Sequence, residues 1–145
     1  MMRSEKGFSL AEVMISIALL GVISVAFLSA IGTASRAVLL ADEQASAESL
    51  ARSEMEYVKS QEYSVASPNP WSYELPDGTS PTGEFPSWWN DYPSALAEGY
   101  ESYILIVNAE PLYDTDNGIQ KISVVVTCLG GKTIVTLESY RSIRL

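Results

Sequence analysis

Apolar and polar positions along this chain change their period twice, and each change marks a boundary. From Val13 to Ser35 no residue is charged, and an uncharged run of roughly 20 residues is what a helix needs to cross a bilayer core of about 30 Å. After Arg36 the pattern becomes amphipathic. Leu40, Ala47, Leu50, Ala51, Met55 and Val58 fall mainly at spacings of three and four, while Arg36, Asp42, Glu43, Glu48, Arg52, Glu54, Glu56 and Lys59 lie largely off that stripe. No proline occurs from Phe8 to Ala66, so one continuous helix from about Phe8 to about Gln61 is predicted.

Between residues 64 and 99 the texture is different. Pro68, Pro70, Pro76, Pro81, Pro86 and Pro93 all fall here, with Asp77-Gly78 and Thr82-Gly83 as turn signals. Trp71, Trp88 and Trp89 lie here too, beside Tyr73, Phe85 and Tyr92. Disordered linkers are poor in aromatics, so an ordered irregular loop is predicted. The remainder reads as strands, Tyr100–Asn108, Ile119–Leu129 and Lys132–Ile143, rich in Ile, Val, Thr and Tyr. In the middle one, Ile122, Val124, Val126 and Cys128 share a face, with Ser123, Val125 and Thr127 opposite. Gly130-Gly131 reads as a two-residue hairpin turn, and residues 114–118 close the earlier hairpin. The predicted fold is α+β: a long N-terminal helix with an antiparallel sheet of three strands or slightly more laid on its second half.

Charge and composition narrow the function classes. The chain has 145 residues with 9 basic and 18 acidic, a net charge of −9. Such a surface repels phosphate backbones, so direct nucleic-acid binding is disfavoured. There is no histidine, which removes the commonest general base and metal ligand. No pair of acids has a claim to acid–base chemistry, so an enzyme is not predicted and no cofactor is implied. The single Cys128 excludes an intrachain disulfide and reads as a small core residue.

Ahead of the apolar run stands Lys6-Gly7-Phe8-Ser9-Leu10-Ala11-Glu12. An acid inside a membrane helix costs on the order of 2.5–3.5 kcal/mol, so Glu12 asks for a reason. These residues resemble the N-terminus of the type IV pilin-like proteins: pilins, minor pilins and the pseudopilins of type II secretion or competence. The shared signature is a short basic leader ending in Gly, then Phe or Met, with Glu fifth from the cut. The resemblance implies a cut between Gly7 and Phe8 by a prepilin peptidase, N-methylation of Phe8, and a role for Glu12 in assembly. It implies as partners other pilin or pseudopilin subunits, the peptidase, an assembly platform with its ATPase, and membrane lipid. The cut would remove Arg3, Lys6 and Glu5, leaving 7 basic against 17 acidic residues.

The resulting organisation is a leader at 1–7, a transmembrane or filament-core helix at 8–35 and an amphipathic helix half at 36–63. A Pro/Trp-rich loop follows at 64–99 and a sheet at 100–145. Arg3 and Lys6 precede the span with no matching basic excess until Arg36, so the amino terminus stays in and the head faces out. That places the chain in the cytoplasmic membrane, and after assembly in a pilus or pseudopilus at the cell surface or in the periplasm. A signal peptide cut after Ser24-Val25-Ala26 is the rival, weakened by Glu12 and by a core longer than the usual 7–15 or so residues. The missing disulfide, which many major pilins carry, favours a minor pilin or an I-type pseudopilin.

A carboxylate in lipid seeks a cation, and a cut after Gly7 would supply one, a terminal amine of pKa about 7.7–8.0. In the family, Glu of one subunit pairs with the amine of its neighbour, a head-to-tail contact that propagates a filament. The plainer alternative is that Glu12 merely favours the helix macrodipole. Small residues at Ser16, Ala18, Gly21, Ser24 and Ala30 would let helices approach closely. Trp71, Trp88 and Trp89 are candidate partner-binding residues, with covering of the sheet as the plainer reading. On that basis a single-span surface protein binding through its aromatic loop is the alternative function. Asp114 and Asp116 resemble the start of a calcium loop, but Gly118 comes too early for an EF-hand and no acid closes it, so a plain turn is expected.

Overall fold

The computed structural model describes residues 7, 9–66, 70–93 and 102–143. Phe8 and the leader ahead of Gly7 lie outside the described residues, as do Pro68 and the Tyr100 start of the first predicted strand. The chain divides into two compact units, Met1–Asp42 and Glu43–Leu145.

One helix, α1, spans Leu10–Ser60, 51 residues, close to the bounds expected from the absence of proline. Its first bond runs from Val13 N to Ser9 O at 3.2 Å. Glu12 lies in the first turn and Lys59 in the last, the signs that the macrodipole favours at each end. In the first unit, the α1 residues from Leu10 to Asp42 are exposed on every side. A helix apolar all round has nothing in its own unit to cover it, and so asks for lipid or for other helices.

In the second unit α1 buries one stripe, Ala47, Ala51, Glu54, Met55 and Val58. Facing it is a four-stranded antiparallel sheet in the order β1-β2-β3-β4. The strands are β1 Trp71–Leu75, β2 Tyr103–Pro111, β3 Ile119–Cys128 and β4 Thr133–Ser142. Pairing aligns the core side chains in rows across the sheet: Leu75–Leu105–Val126–Val135, then Tyr73–Val107–Val124–Leu137, then Trp71–Ala109–Ile122–Ser139. Large Trp71 faces small Ala109, so the third row keeps its volume in bounds. The face expected for Ile122, Val124 and Val126 is the buried one.

Three expectations need correction. Residues 64–99 are not all irregular, because β1 lies among them. Its Trp-x-Tyr-x-Leu alternation is a strand signal that the surrounding prolines and turns obscured. Glu54, expected on the solvent side of α1, is buried at 1 % exposure. The β3–β4 turn uses three residues rather than two: Cys128 N donates to Lys132 O at 3.1 Å and Gly131 N to Cys128 O at 2.9 Å. Gly131, at φ 78, takes the left-handed position that such a loop requires.

Candidate functional site

The N-terminal constellation starts at Gly7, which is exposed, and continues into the first turns of α1. Val13, Ser16, Ile17 and Leu20 line one shallow apolar face, at the spacing that brings side chains together on a helix. The hydroxyls in this segment turn inward to the helix's own carbonyls. Ser16 Oγ donates to Glu12 O at 2.8 Å, Ser24 Oγ to Leu20 O at 2.8 Å and Thr33 Oγ1 to Ser29 O at 3.0 Å. Such bonds satisfy polar groups that lipid cannot. No donor among the described residues reaches the Glu12 carboxylate in the same way.

In the second unit, Glu54 sits inside an aromatic cluster. Tyr73 Oη donates to Glu54 Oε1 at 2.5 Å, and Tyr92 Oη to Glu54 Oε2 at 3.0 Å. Burial pushes the Tyr73 phenol well above its ordinary pKa, and the Glu54 charge and hydrogen bond push it further. Tyr57 is raised by burial, then by Glu54 and Asp91. Trp88, 6 % exposed, meets Tyr57, Trp71 and Tyr73 edge-on at 5.7, 5.9 and 5.8 Å between centroids. Edge-to-face pairs of this kind contribute about 0.5–1.5 kcal/mol each beyond area burial.

The three tryptophans therefore separate. Trp71 and Trp88 are core residues and offer no surface to a partner. Two adjacent tryptophans avoid competing for the core because the 3₁₀ turn Trp89–Asp91 sends Trp89 to the rim. There it lies between Phe85 and Tyr92 at 5.0 and 5.1 Å.

Asp116 is a hub rather than a loose turn residue. Its Oδ1 accepts from Tyr63 Oη at 2.5 Å and Gly118 N at 2.9 Å, and its Oδ2 from Ala66 N at 2.8 Å and Gln120 Nε2 at 2.6 Å. Burial would raise its pKa, but the donors from Ala66, Tyr63, Gln120 and Gly118 hold it below the ordinary carboxylate range. Four donors aimed at one carboxylate leave little of it facing outward to a cation. Asp114 stands exposed in the same turn. No group of three or more Cys, Asp or Glu side chains suited to a metal occurs among the described residues. Arg141 adds a bond to Gln61 O and lies over the Tyr63 ring. Residues 61–66 are thus held to the β2–β3 turn and to β4.

Residues 2–28 match the prokaryotic N-terminal methylation motif. That motif, together with the long apolar helix, is consistent with a type IV pilin-like protein. The matched stretch covers Gly7, Phe8 and Glu12, and the long apolar helix followed by an antiparallel sheet is the pilin-like α+β architecture. No curated protein and no solved structure matched the chain.

The motif supports a type IV pilin-like substrate of prepilin peptidase and implies assembly with other pilin subunits, and the apolar helix fits a membrane anchor. The family so marked is structural rather than enzymatic. Sequence reasoning singled out Glu12 because it lies in a contiguous motif, within the matched residues 2–28. It missed Glu54 and the Asp116 hub because both are defined by partners distant in the chain.

Proposed function

We propose that the protein is a minor pilin or pseudopilin, a structural subunit of a type IV pilus or of a type II secretion or competence pseudopilus. Its carrying observation is that the methylation motif at residues 2–28 runs directly into a helix exposed and apolar on all sides. A prepilin peptidase cuts between Gly7 and Phe8 and Phe8 is methylated. The new amine of one subunit then meets Glu12 of the next, so that the acid gains a cation in a medium that solvates neither. The contact is head-to-tail and does not close on itself, so it propagates a filament. The amino terminus lies on the cytoplasmic side and the head outside. A single free cysteine supports a minor or pseudopilin role over a disulfide-stapled major pilin.

The test is intact mass and N-terminal sequencing of the membrane-extracted protein, co-expressed with a prepilin peptidase. A chain beginning at N-methylated Phe8 is expected. Glu12→Ala should be cut equally well yet fail to enter filaments. An uncut chain beginning at Met1 would sink the reading in favour of a simple anchor, and a start near Phe27 would mean a signal peptide.

A further inference from the structure

Two contacts fix how the sheet stands against α1 within the second unit. Tyr73 Oη donates to Glu54, and Tyr73 shares a row with Val107 and Val124. Arg141 donates to Gln61 O, and Arg141 pairs with Gln120. From Glu54 to Gln61 is about 10 Å of helix at 1.5 Å per residue. From Val124 back to Gln120 is about 14 Å of strand at 3.4 Å per residue. β3 therefore runs back along α1, away from the Asp116 turn and toward Glu43.

The same rises carry the comparison to the other end. From Glu54 back to Glu43 is about 16 Å of helix, and from Val124 on to Leu129 is about 17 Å of strand. The β3–β4 turn, residues 129–131, thus lies level with Glu43, the first residue of the second unit. Tyr113, in the β2–β3 turn, lies at the opposite end. Just ahead of Glu43 in the chain the sequence is apolar again, with no charge between Arg36 and Asp42.

What the turn presents suits a lipid surface. Leu129 is 68 % exposed, more than any other large apolar side chain among the described residues of the second unit. Lys132 is exposed and enters no ion pair among the described residues. Between them Gly130 and Gly131 carry no side chains, so the tip is slim.

We infer that the β3–β4 turn is a lipid-contact site, resting on the bilayer surface while the subunit is anchored there. Leu129 enters the apolar boundary, and the Lys132 stem lies along it with the ammonium on a headgroup phosphate. Arg36 is the single charge from Val13 to Ala41, a stretch of about 43 Å as helix. That outruns a hydrocarbon core of about 30 Å, and an overlong span tilts, which brings one side of the head down. Glu43 at the level of the turn and Asp42 before it are acidic, so the contact uses one cation and not a basic patch. One leucine and one lysine make a weak, reversible contact, which releases when the subunit leaves the bilayer for a filament. The inference rests on the reading of α1 as a membrane anchor.

The experiment puts the full-length chain into vesicles of equimolar phosphatidylethanolamine and phosphatidylglycerol. Cys128→Ser removes the native thiol, and Gly130→Cys carries a nitrobenzoxadiazole label. Tyr113→Cys and Leu20→Cys carry the same label in separate samples. Lipid with a nitroxide on its headgroup is expected to quench the label at position 130 and to leave that at position 113 bright. Added to Gly130→Cys, Lys132→Gln should lower the ratio of quenched to bright label about five-fold, the effect of one lysine at an anionic surface. Leu129→Ser should lower it about ten-fold, through the apolar burial lost. Unfolding midpoints check that each variant folds, with Cys128→Ala in place of Cys128→Ser if it does not. Equal quenching at positions 113 and 130, no quenching at 130, or quenching that survives both substitutions would each overturn the inference. Lipid with the nitroxide on its acyl chain scores the label at position 20 in parallel. A quenched span with a bright turn condemns the turn alone, and a bright span with a bright turn condemns both readings. A bright span with a quenched turn condemns only the anchor.

Discussion

The Tyr73 hydroxyl donates to Glu54 at 2.5 Å, joining the middle of β1 to the buried stripe of α1 across 19 residues of chain. With Tyr92 on the second oxygen at 3.0 Å, the carboxylate holds helix, first strand and aromatic loop to one another. Glu54→Gln keeps the volume and one good acceptor, and should cost about 1 kcal/mol. Glu54→Ala strands two phenols and should cost about 2–4 kcal/mol. All three tryptophans lie in or beside this cluster, so their fluorescence in detergent-extracted protein follows the unfolding. Equal loss from both substitutions would show that charge rather than hydrogen bonding is what matters.

The sheet core predicts an asymmetry between two facing residues. Trp71 and Ala109 are partners in register and both are buried. Trp71→Ala should cost about 3–5 kcal/mol through the cavity it leaves, and Ala109→Leu about 1–3 kcal/mol through overpacking. If Ala109→Leu proves neutral in denaturant unfolding, the row is looser than its register implies.

Asp116 and Tyr63 set opposite pH limbs. The Asp116 carboxyl is held low, so its contribution is present above its unfolded pKa and is lost as pH falls below about 4. The Tyr63 phenol is raised, first by burial and then by its bond to Asp116. Its contribution is complete below the unfolded value and is lost as pH rises above about 10. Unfolding midpoints measured across pH should fall at both ends. Asp116→Asn should lower the midpoint at neutral pH and flatten the acid limb. Tyr63→Phe should flatten the alkaline one.

Two turn glycines separate backbone strain from crowding. Gly131 has φ 78 with open space where a Cβ would sit, whereas at Gly118, with φ 92, a Cβ would meet Ile143 Cγ2 at 3.0 Å. Gly131→Ala should cost about 1 kcal/mol, the left-handed penalty alone. Gly118→Ala should cost more, and pairing it with Ile143→Ala should recover the difference. No recovery in the double variant would place the whole cost in the backbone.

What the sequence determined by itself was whatever depends on neighbours a few residues apart. The charge-free run, the absence of proline and the three-and-four spacing are local, and α1 follows from them nearly to its ends. The processing motif is a contiguous string, and the alternation of Ile122, Val124 and Val126 marks a buried face wherever the strand docks. Tertiary structure decided what depends on distant partners. Glu54 reads as a surface acid on a helical wheel, and only the phenols of Tyr73 and Tyr92 make its burial tolerable. Asp116 reads as a turn residue until Tyr63 and Ala66 arrive from the end of the helix. Trp71 is a loop aromatic until Ala109 gives it a strand to pair with. The level of the β3–β4 turn along α1 is invisible in either element alone, because the Tyr73–Glu54 contact sets it. Periodicity encodes which face is buried, but a polar group's partner lies on another element, and only the assembled fold brings the two together.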